Sequence, residues 1–297
     1  MANFLGLNTL LDEIDKTVSD KIDDKIASEI PEFKKLIKDA EKSIKENAPF
    51  KIEYDGKIHE VKGLRHKALD NLIVMASQRI PVMLVGMAGT GKTHAATQVA
   101  EALGLNHYTM SVGAQTSKSD IIGYMHASGG YVPTLFRKAY EEGGVFLMDE
   151  IDAGNANVLI QVNAALSNGF CAFPDKMVER HKDFVFIASA NTFGNGANRM
   201  YVGRNQLDAS TLDRFAVLVW DVDEKLEDKM AEAYGKTGKK WLKVVRELRK
   251  TIEEDGIRAL VTPRATIKGC SLLNAGLDFD TVLNAVIGWK LTRCGVR

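Results

Sequence analysis

The residues with the clearest chemical potential lie in one short stretch, "GMAGTGKTHA", at residues 86–95. Its glycines allow backbone conformations closed to other residues, so that successive N–H groups can turn inward around an anion. Lys92 is placed to reach the β- and γ-phosphates of a nucleotide, and the Thr93 hydroxyl can bind Mg²⁺. The candidate nucleotide contacts are Gly86, Met87, Ala88, Gly89, Thr90, Gly91, Lys92, Thr93 and His94.

A second candidate is the pair of acids that ends the apolar run "GGVFLMDEID", residues 143–152. Ligands of open α/β sheets lie at the carboxyl ends of the strands, where Asp149 and Glu150 would stand. Asp149 suits coordination of Mg²⁺ through water, and Glu150 suits a base that polarises an attacking water. Two acids after an apolar run are weak evidence alone, but together with the glycine-rich loop they predict a triphosphate-hydrolysis site.

A third candidate is Asn191, which follows the apolar run in "FVFIASANT", residues 184–192. At the neighbouring strand end it would lie beside the γ-phosphate and help to hold the water. The alternative is an asparagine that only caps the next turn.

Strand and helix patterns alternate around these candidates, and near-continuous apolar strands predict a parallel sheet covered on both faces. The Asp55-Gly56 dipeptide predicts a hairpin over residues 50–61, and a helix is predicted over residues 66–78. The predicted strands span residues 82–85, 107–110, 145–148, 184–189 and 217–220. Beyond Asp221 the pattern is helical, at residues 225–234, 240–254, 264–275 and 279–289.

Ahead of the hairpin, residues 7–46 carry an apolar residue every three or four positions on a charged background, and Pro31 divides them into two predicted helices. Such a stripe packs on its own domain or contacts a neighbouring subunit. We therefore expect three parts: a helical arm (1–48), an α/β nucleotide-binding domain with a five-stranded parallel sheet between helices (49–221), and a small all-helical lid (222–297).

Charge, cysteine content and apolar runs argue against several classes of protein. The 297 residues carry 39 basic and 39 acidic side chains, so no overall charge draws the chain to nucleic acid or anionic lipid. Three scattered cysteines predict reduced thiols rather than a disulfide framework or a zinc site. Early acidic residues argue against a signal peptide, and no run reaches the ~18 apolar residues of a membrane span. These features predict a cytoplasmic protein.

With these elements in order, the chain resembles AAA+ ATPases over about residues 51–275. The resemblance is to the dynein-related subfamily, and within it to the MoxR branch with its CobS-like and CbbQ-like members. It is most specific in "SDIIGYMHASGGYVPTLFRKAYEEGGVFLMDEIDAGNANVLIQVNAALSNG" and "ANTFGNGANRMYVGRNQLDASTLDRF", residues 119–169 and 190–215.

The resemblance implies a role for each matching residue. Lys92 and Thr93 become the Walker A pair, Asp149 and Glu150 the Walker B pair, and Asn191 sensor 1. The "LDRF" motif makes Arg214 the arginine finger, with Arg204 and Arg199 as alternatives. The "TPRAT" motif makes Arg264 sensor 2, toward its own ATP or a neighbour's. A guanidinium suits these roles because it can stabilise the charge that spreads over a transferred phosphoryl group.

Two inserts also fit the resemblance. Gly129-Gly130 and Pro174-Asp175 predict hairpins within residues 124–136 and 170–181, which in a ring would face the pore or one surface. Tyr124, His126 and Tyr131 could then grip a substrate, or the tyrosines could serve local packing.

The function implied by the resemblance is an ATP- and Mg²⁺-dependent ATPase that forms a homo-oligomeric ring, expected to be a hexamer. It would remodel or activate a partner protein such as one with a VWA domain. One alternative is a nucleic-acid-dependent motor like MCM or McrB, which the neutral net charge disfavours because phosphate tracking needs clustered cations. Another is a nucleotide-gated scaffold that seldom hydrolyses ATP, which the presence of Glu150, Asn191 and Arg214 together disfavours.

Overall fold

The computed structural model describes residues 50–54, 57–61 and 63–293. The chain divides into two compact units, residues 1–50 and residues 51–297. The predicted helical arm over residues 1–48 lies outside the described residues. Among those that are described, no helix combines the length and the apolar character needed to cross a bilayer.

The centre of the second unit is a parallel sheet of five strands. They are β3 (Val82–Val85), β4 (His107–Ser111), β7 (Gly144–Asp149), β10 (Phe184–Ala190) and β11 (Ala216–Val219). The strand order is β11–β3–β10–β7–β4, with every neighbouring pair parallel. Because β10 lies between β3 and β7, the carboxyl ends of these three strands are adjacent at one edge of the sheet.

Among the described residues, three short two-stranded sheets lie outside the central one. They pair β1 (Phe50–Tyr54) with β2 (Lys57–Val61), β5 (Tyr124–Met125) with β6 (Tyr131–Val132), and β8 (Phe170–Ala172) with β9 (Met177–Glu179). The last two pairs are antiparallel, as the predicted hairpins require.

Helices alternate with the strands of the central sheet, and after β11 the remaining elements are all helical. In chain order they are α1 (Leu69–Ser77), α2 (Lys92–Leu103), α3 (Lys118–Ile122), α4 (Leu135–Glu142), α5 (Ala156–Asn168), α6 (Ala209–Leu212), α7 (Glu224–Glu232), α8 (Gly235–Glu254), α9 (Pro263–Asn274), α10 (Phe279–Leu283) and α11 (Trp289–Arg293). A π-helical segment, Asn284–Gly288, joins the last two.

Burial follows the position of each strand in the sheet. Every residue of β3 and β10 is buried, whereas the edge strands β4 and β11 are partly exposed. Continuous apolar runs are typical of strands covered on both faces. Aromatic rings of α4 pack on the sheet, with the Phe136 and Phe146 ring centroids 5.2 Å apart. The predicted α/β fold with its five-stranded parallel sheet is confirmed.

The C-terminal helices pack around a core of their own that centres on Trp241, which is fully buried. Gly269 makes room for that indole, because a Cβ there would lie 2.0 Å from its ring. The helical C-terminal segment is therefore also confirmed.

Two helices in this segment differ from the prediction by more than two residues or by a break. Helix α8 begins at Gly235 rather than at residue 240. Gly238 is accommodated inside it because its missing side chain lets the helix approach the Ala231 carbonyl, 2.1 Å from where a Cβ would stand. The single helix predicted over residues 279–289 is divided by the π-helical segment.

Candidate nucleotide site

The glycine-rich loop leaves β3 and is held closely against the sheet. Gly86 has no room for a side chain, because a Cβ there would lie 2.0 Å from the carbonyl oxygen of Trp220. Its N–H donates to the carbonyl of Ala190 at 3.2 Å, which ties the loop to β10. Gly89 and Gly91 have φ values of 85° and 95°, in the region that favours glycine. The loop then enters the N-terminus of α2, an arrangement typical of anion-binding sites.

Other predicted contacts complete the loop. The buried Thr90 hydroxyl donates to the Met87 carbonyl at 2.9 Å and closes the turn on itself. The Ala88 N–H donates to the hydroxyl of Tyr201 at 3.1 Å. His94 lies on the first turn of α2 and is exposed.

Lys92 is buried at the start of α2, and its ammonium is held by three acceptors. It donates to the loop carbonyls of Gly86 at 2.6 Å and Met87 at 3.0 Å. A third hydrogen bond, also 3.0 Å, reaches the side-chain oxygen of Asn191. Burial lowers the pKa of Lys92 to about 8, against the attraction of nearby carboxylates. The structure thus joins two predicted site residues that follow neighbouring strands, β3 and β10.

Thr93 and Asp149 also meet at this edge. The Thr93 hydroxyl donates to a carboxylate oxygen of Asp149 at 2.9 Å. The other carboxylate oxygen accepts hydrogen bonds from the Ser189 hydroxyl and, at 3.0 Å, from the Glu150 N–H. A hydroxyl beside one carboxylate fits Mg²⁺, which prefers oxygen ligands and keeps several waters. No group of three or more metal-binding side chains occurs among the described residues.

Glu150 occupies an unusual turn. Its φ of 58° and ψ of 40° place it in the left-handed region, which is uncommon for a residue with a side chain. The Glu150 carboxylate is half exposed and lies 3.4 Å from the guanidinium of Arg204. The base candidate therefore has a cationic partner within its own chain.

Asp152 is a buried carboxylate with several polar partners, and the sequence prediction did not include it. One of its carboxylate oxygens accepts from the N–H groups of Asn191 and Thr192 at 3.0 and 2.9 Å, and from the Thr192 hydroxyl at 2.9 Å. The other oxygen lies 3.3 Å from Arg204. Asp152 therefore fixes the end of β10 where Asn191 projects. The only sequence signal was its place in "DEID", after the two acids that the prediction used.

Arg264 lies on the first turn of α9, against the glycine-rich loop. Its aliphatic stem and the Thr262 hydroxyl lie 3.3 and 2.7 Å from the point where a Gly89 Cβ would stand. Both residues line a cavity of about 1240 Å³ that also reaches Ala88 and Arg199. The structure thus brings Arg264 to the glycine-rich loop of its own chain.

Arg214 is engaged elsewhere. Its guanidinium donates to the Ser167 hydroxyl at 2.9 Å and to the carbonyl of Ser210. These partners lie at the end of α5 and in α6. Neither belongs to the glycine-rich loop or to the acidic turn, residues 149–153, at the carboxyl end of β7. Among the predicted site residues, Arg214 is the one that these contacts separate from the rest.

The first hairpin, β5–β6, carries the three residues that were predicted as possible substrate contacts, and they differ in exposure. Tyr131 is half-buried, donates to the Ile122 carbonyl at 2.8 Å, and stacks under the guanidinium of Arg137 at 5.0 Å. These contacts support local packing, the second of the two alternatives given for Tyr131. Tyr124 and His126 are exposed.

The fold and this edge of the sheet define a P-loop nucleotide-binding domain of the AAA+ type. Residues 81–215 match the family described as "AAA domain (dynein-related subfamily)". This part of the chain therefore matches an AAA+ ATPase domain of that subfamily, and such a domain implies nucleotide binding. The predicted family resemblance is confirmed.

Individual relatives are distant. Lon protease of Flavobacterium johnsoniae is 28% identical over 71% of this chain and 28% of its own length. The aerobic cobaltochelatase subunit CobS of a Sinorhizobium species is 28% identical over 46% of this chain and 45% of its own. The chain thus spans less than half the length of either relative. Among solved structures, NtrX from Brucella abortus aligns with a TM-score of 0.45 at 15% identity, over 78% of this chain and 52% of that one.

Proposed function

We propose that this protein hydrolyses ATP at the seam between two copies of itself, and that a ring of such copies remodels a partner protein. The proposal rests on one observation: Lys92, Thr93, Asp149 and Asn191 meet at one sheet edge, while Arg214 is held away from it. A site that holds its other predicted residues but not the finger candidate Arg214 is what a site shared between subunits requires.

Within one copy, each residue has a definite task. Lys92 exchanges its loop carbonyls for phosphate oxygens, and Asn191 holds the water or the γ-phosphate. Thr93 and Asp149 would hold Mg²⁺, which neutralises charge on the phosphates when bound. Glu150 takes a proton from the attacking water, and Arg264 contacts the phosphates from α9. Arg214 of an adjacent copy stabilises the charge that spreads over the transferred group.

The helical segment supplies a route from chemistry to motion. Arg264 belongs to α9, whose core is separate from that of the sheet. A change of charge at the phosphates therefore acts on the angle between two packed bodies, as in hinged domain closure. We infer that a hexameric ring carries this motion to a protein substrate, for which a VWA-domain protein is the leading candidate.

The test mixes two inactive variants. Glu150→Gln removes the base, and Arg214→Ala removes the finger, so each alone should lose turnover, by about 10³–10⁵-fold for the arginine. Mixed in one assembly, an Arg214→Ala copy provides the base and its Glu150→Gln neighbour provides the arginine. Phosphate release should return in the mixture, with nucleotide affinity retained in every sample.

Three results would contradict the proposal. Arg214→Ala could keep its turnover, it could lose nucleotide affinity, or the mixture could remain inactive. Sedimentation with ATP would establish whether six copies assemble. The Glu150→Gln variant, kept in its ATP-bound form, would also retain the partner for identification by mass spectrometry. Stimulation of turnover by DNA would favour the nucleic-acid motor over a protein-remodelling ATPase.

A further inference from the structure

A short segment on the loop after Asn191, Tyr201–Asn205, bridges the glycine-rich loop and the acidic turn. At one end the Tyr201 hydroxyl accepts the Ala88 N–H at 3.1 Å. At the other end the Asn205 N–H donates to the Asp152 carbonyl at 2.7 Å, and its side chain donates to the Gly154 carbonyl at 2.9 Å. The segment is therefore fixed to both halves of the nucleotide site.

Arg204 lies between these anchors and contacts two carboxylates. One guanidinium nitrogen is 3.3 Å from Asp152 and 3.4 Å from Glu150. The Asp152 side chain is fully buried, and the oxygen that faces Arg204 has no hydrogen-bond partner among the described residues. Because a buried carboxylate needs a compensating charge, Asp152 fixes where the Arg204 head lies.

The position of Arg204 bears directly on the base. The Glu150 side chain is 47% exposed, while that of Arg204 is only 12% exposed. A half-exposed glutamate on a left-handed turn would otherwise sample several rotamers, and a fixed guanidinium selects those that point toward it. The same contacts also hold Arg204 within its own copy, where it is a poor candidate for a finger.

We propose that Arg204 is a positioning residue that acts in cis on Glu150, with Tyr201 as the anchor that keeps the segment against the glycine-rich loop. The proposal rests on the function proposed above, because it assigns Glu150 as the base. Arg204 sets the orientation of that carboxylate through Asp152, and so links it to the strand end that carries Asn191.

The first test separates positioning from binding. Arg204→Ala should lower kcat by about 10²-fold, the scale of a general base that is no longer aligned. The KM for ATP should change by less than a few-fold, since Arg204 touches neither the glycine-rich loop nor Thr93. Arg204→Lys should recover part of kcat, because it restores the charge at Asp152. Lys239→Ala, on the exposed surface of the helical segment, serves as the control and should match the wild type.

The second test shows whether Arg204 acts on Glu150 of its own copy or on that of a neighbouring copy. Arg204→Ala mixed with Glu150→Gln should show no more turnover than Arg204→Ala alone, because the copy with an intact Glu150 lacks its own Arg204. Arg214→Ala mixed with Glu150→Gln should recover in parallel. Recovery of the Arg204→Ala mixture would overturn the proposal by showing that Arg204 acts across the seam. Failure of the Arg214→Ala mixture would count against the proposed function instead.

Tyr201→Phe keeps Arg204 and tests the anchor if Arg204→Ala does not fold. It removes only the acceptor of the Ala88 N–H, and it should lower kcat several-fold with nucleotide affinity and melting temperature unchanged. Wild-type kcat in both Tyr201→Phe and Arg204→Lys would overturn the proposal. So would a loss of ATP affinity as large as the loss of kcat in either variant, because that would make the segment part of the binding site.

Discussion

The ammonium of Lys92 and the side-chain oxygen of Asn191 are joined by a hydrogen bond of 3.0 Å, although 99 positions separate them in the chain. The bond spans from the first residue of α2 to the residue that follows β10. It exists because β3 and β10 are neighbours in the sheet, so that their carboxyl ends are adjacent. The cation that reaches for phosphate and the amide proposed to hold water are therefore positioned by the same pair of strands.

This relationship gives the first prediction. Asn191→Ala should lower kcat by about 10²–10³-fold, the cost of removing one preorganised polar contact from a reacting centre. Affinity for ATP should fall much less, because Lys92 and the glycine-rich loop remain available to bind the phosphates. Single-turnover phosphate release and titration with a fluorescent ATP analogue would measure the two effects. Asn274→Ala, exposed at the end of α9, is the control, and equal losses of kcat and affinity would contradict the assignment.

The sequence was sufficient where chemistry lies at strand ends. Lys92, Asp149 and Asn191 each follow an apolar run, and in a parallel sheet such positions converge, so their meeting could be predicted without coordinates. Fold class followed from the same alternation of strands and helices.

The sequence was insufficient where contacts come from a loop. Tyr201 reaches Ala88 across 113 positions, and nothing periodic in the loop marks that contact. Arg204 could be identified as a candidate arginine, but its two carboxylate partners could not, since Asp152 is buried by the path of the acidic turn. The sequence also left two alternatives open for Tyr131, because its partner Arg137 is on a different element.

Gly86 gives the second prediction. Gly86→Ala should destabilise the chain by about 1–3 kcal/mol, the usual cost of forcing extra atoms into a packed site. The added Cβ would stand 2.0 Å from the Trp220 carbonyl oxygen, which belongs to the backbone and cannot move aside easily. Gly113→Ala is a matched control, because no atom lies within 4 Å of its Cβ position. Urea unfolding compares the two variants. Equal stability would show that the backbone at Trp220, directly after β11, shifts to accommodate the added Cβ.

Glu227 gives the third prediction. This fully buried carboxylate accepts two hydrogen bonds from Arg249, at 2.7 and 3.1 Å, and one from the Thr266 hydroxyl at 2.6 Å. Glu227→Ala should cost about 3–5 kcal/mol, because it leaves the Arg249 charge without its buried partner. Thr266 belongs to α9, so the loss should also loosen the helix that carries Arg264.

The control for Glu227 is an exposed ion pair in the same segment. Glu232 pairs with Lys239 at 2.9 Å, and both side chains are more than half exposed. Glu232→Ala should cost about 0–1 kcal/mol. Denaturant unfolding of both variants, with ATP affinity measured in parallel, tests the comparison. A Glu227→Ala variant as stable as Glu232→Ala would show that the buried network contributes little.

His66 gives the fourth prediction, which concerns pH. Its ring stacks on Trp220 with centroids 4.0 Å apart. Its Nδ1 accepts the Ala68 N–H at 3.1 Å, so the proton lies on Nε2, which donates to the Asp221 carbonyl at 2.8 Å. Both nitrogens are thus satisfied in the neutral form. Burial, opposed by the hydrogen bond to Asp221 and by Asp223, lowers the pKa of His66 from its ordinary value of 6.5.

Because the folded pKa lies below the unfolded one, the unfolded chain binds more protons between the two values. The stabilisation from His66 should therefore be complete above pH 6.5 and should diminish as the pH falls from there to the folded pKa. His66→Phe keeps a ring against Trp220 but cannot titrate, so its unfolding free energy should fall less steeply across that window. His126→Gln, on the exposed turn between β5 and β6, should keep the wild-type slope. Urea titrations at half-unit pH intervals measure the slopes, and identical slopes for His66→Phe and wild type would assign the pH dependence to other groups.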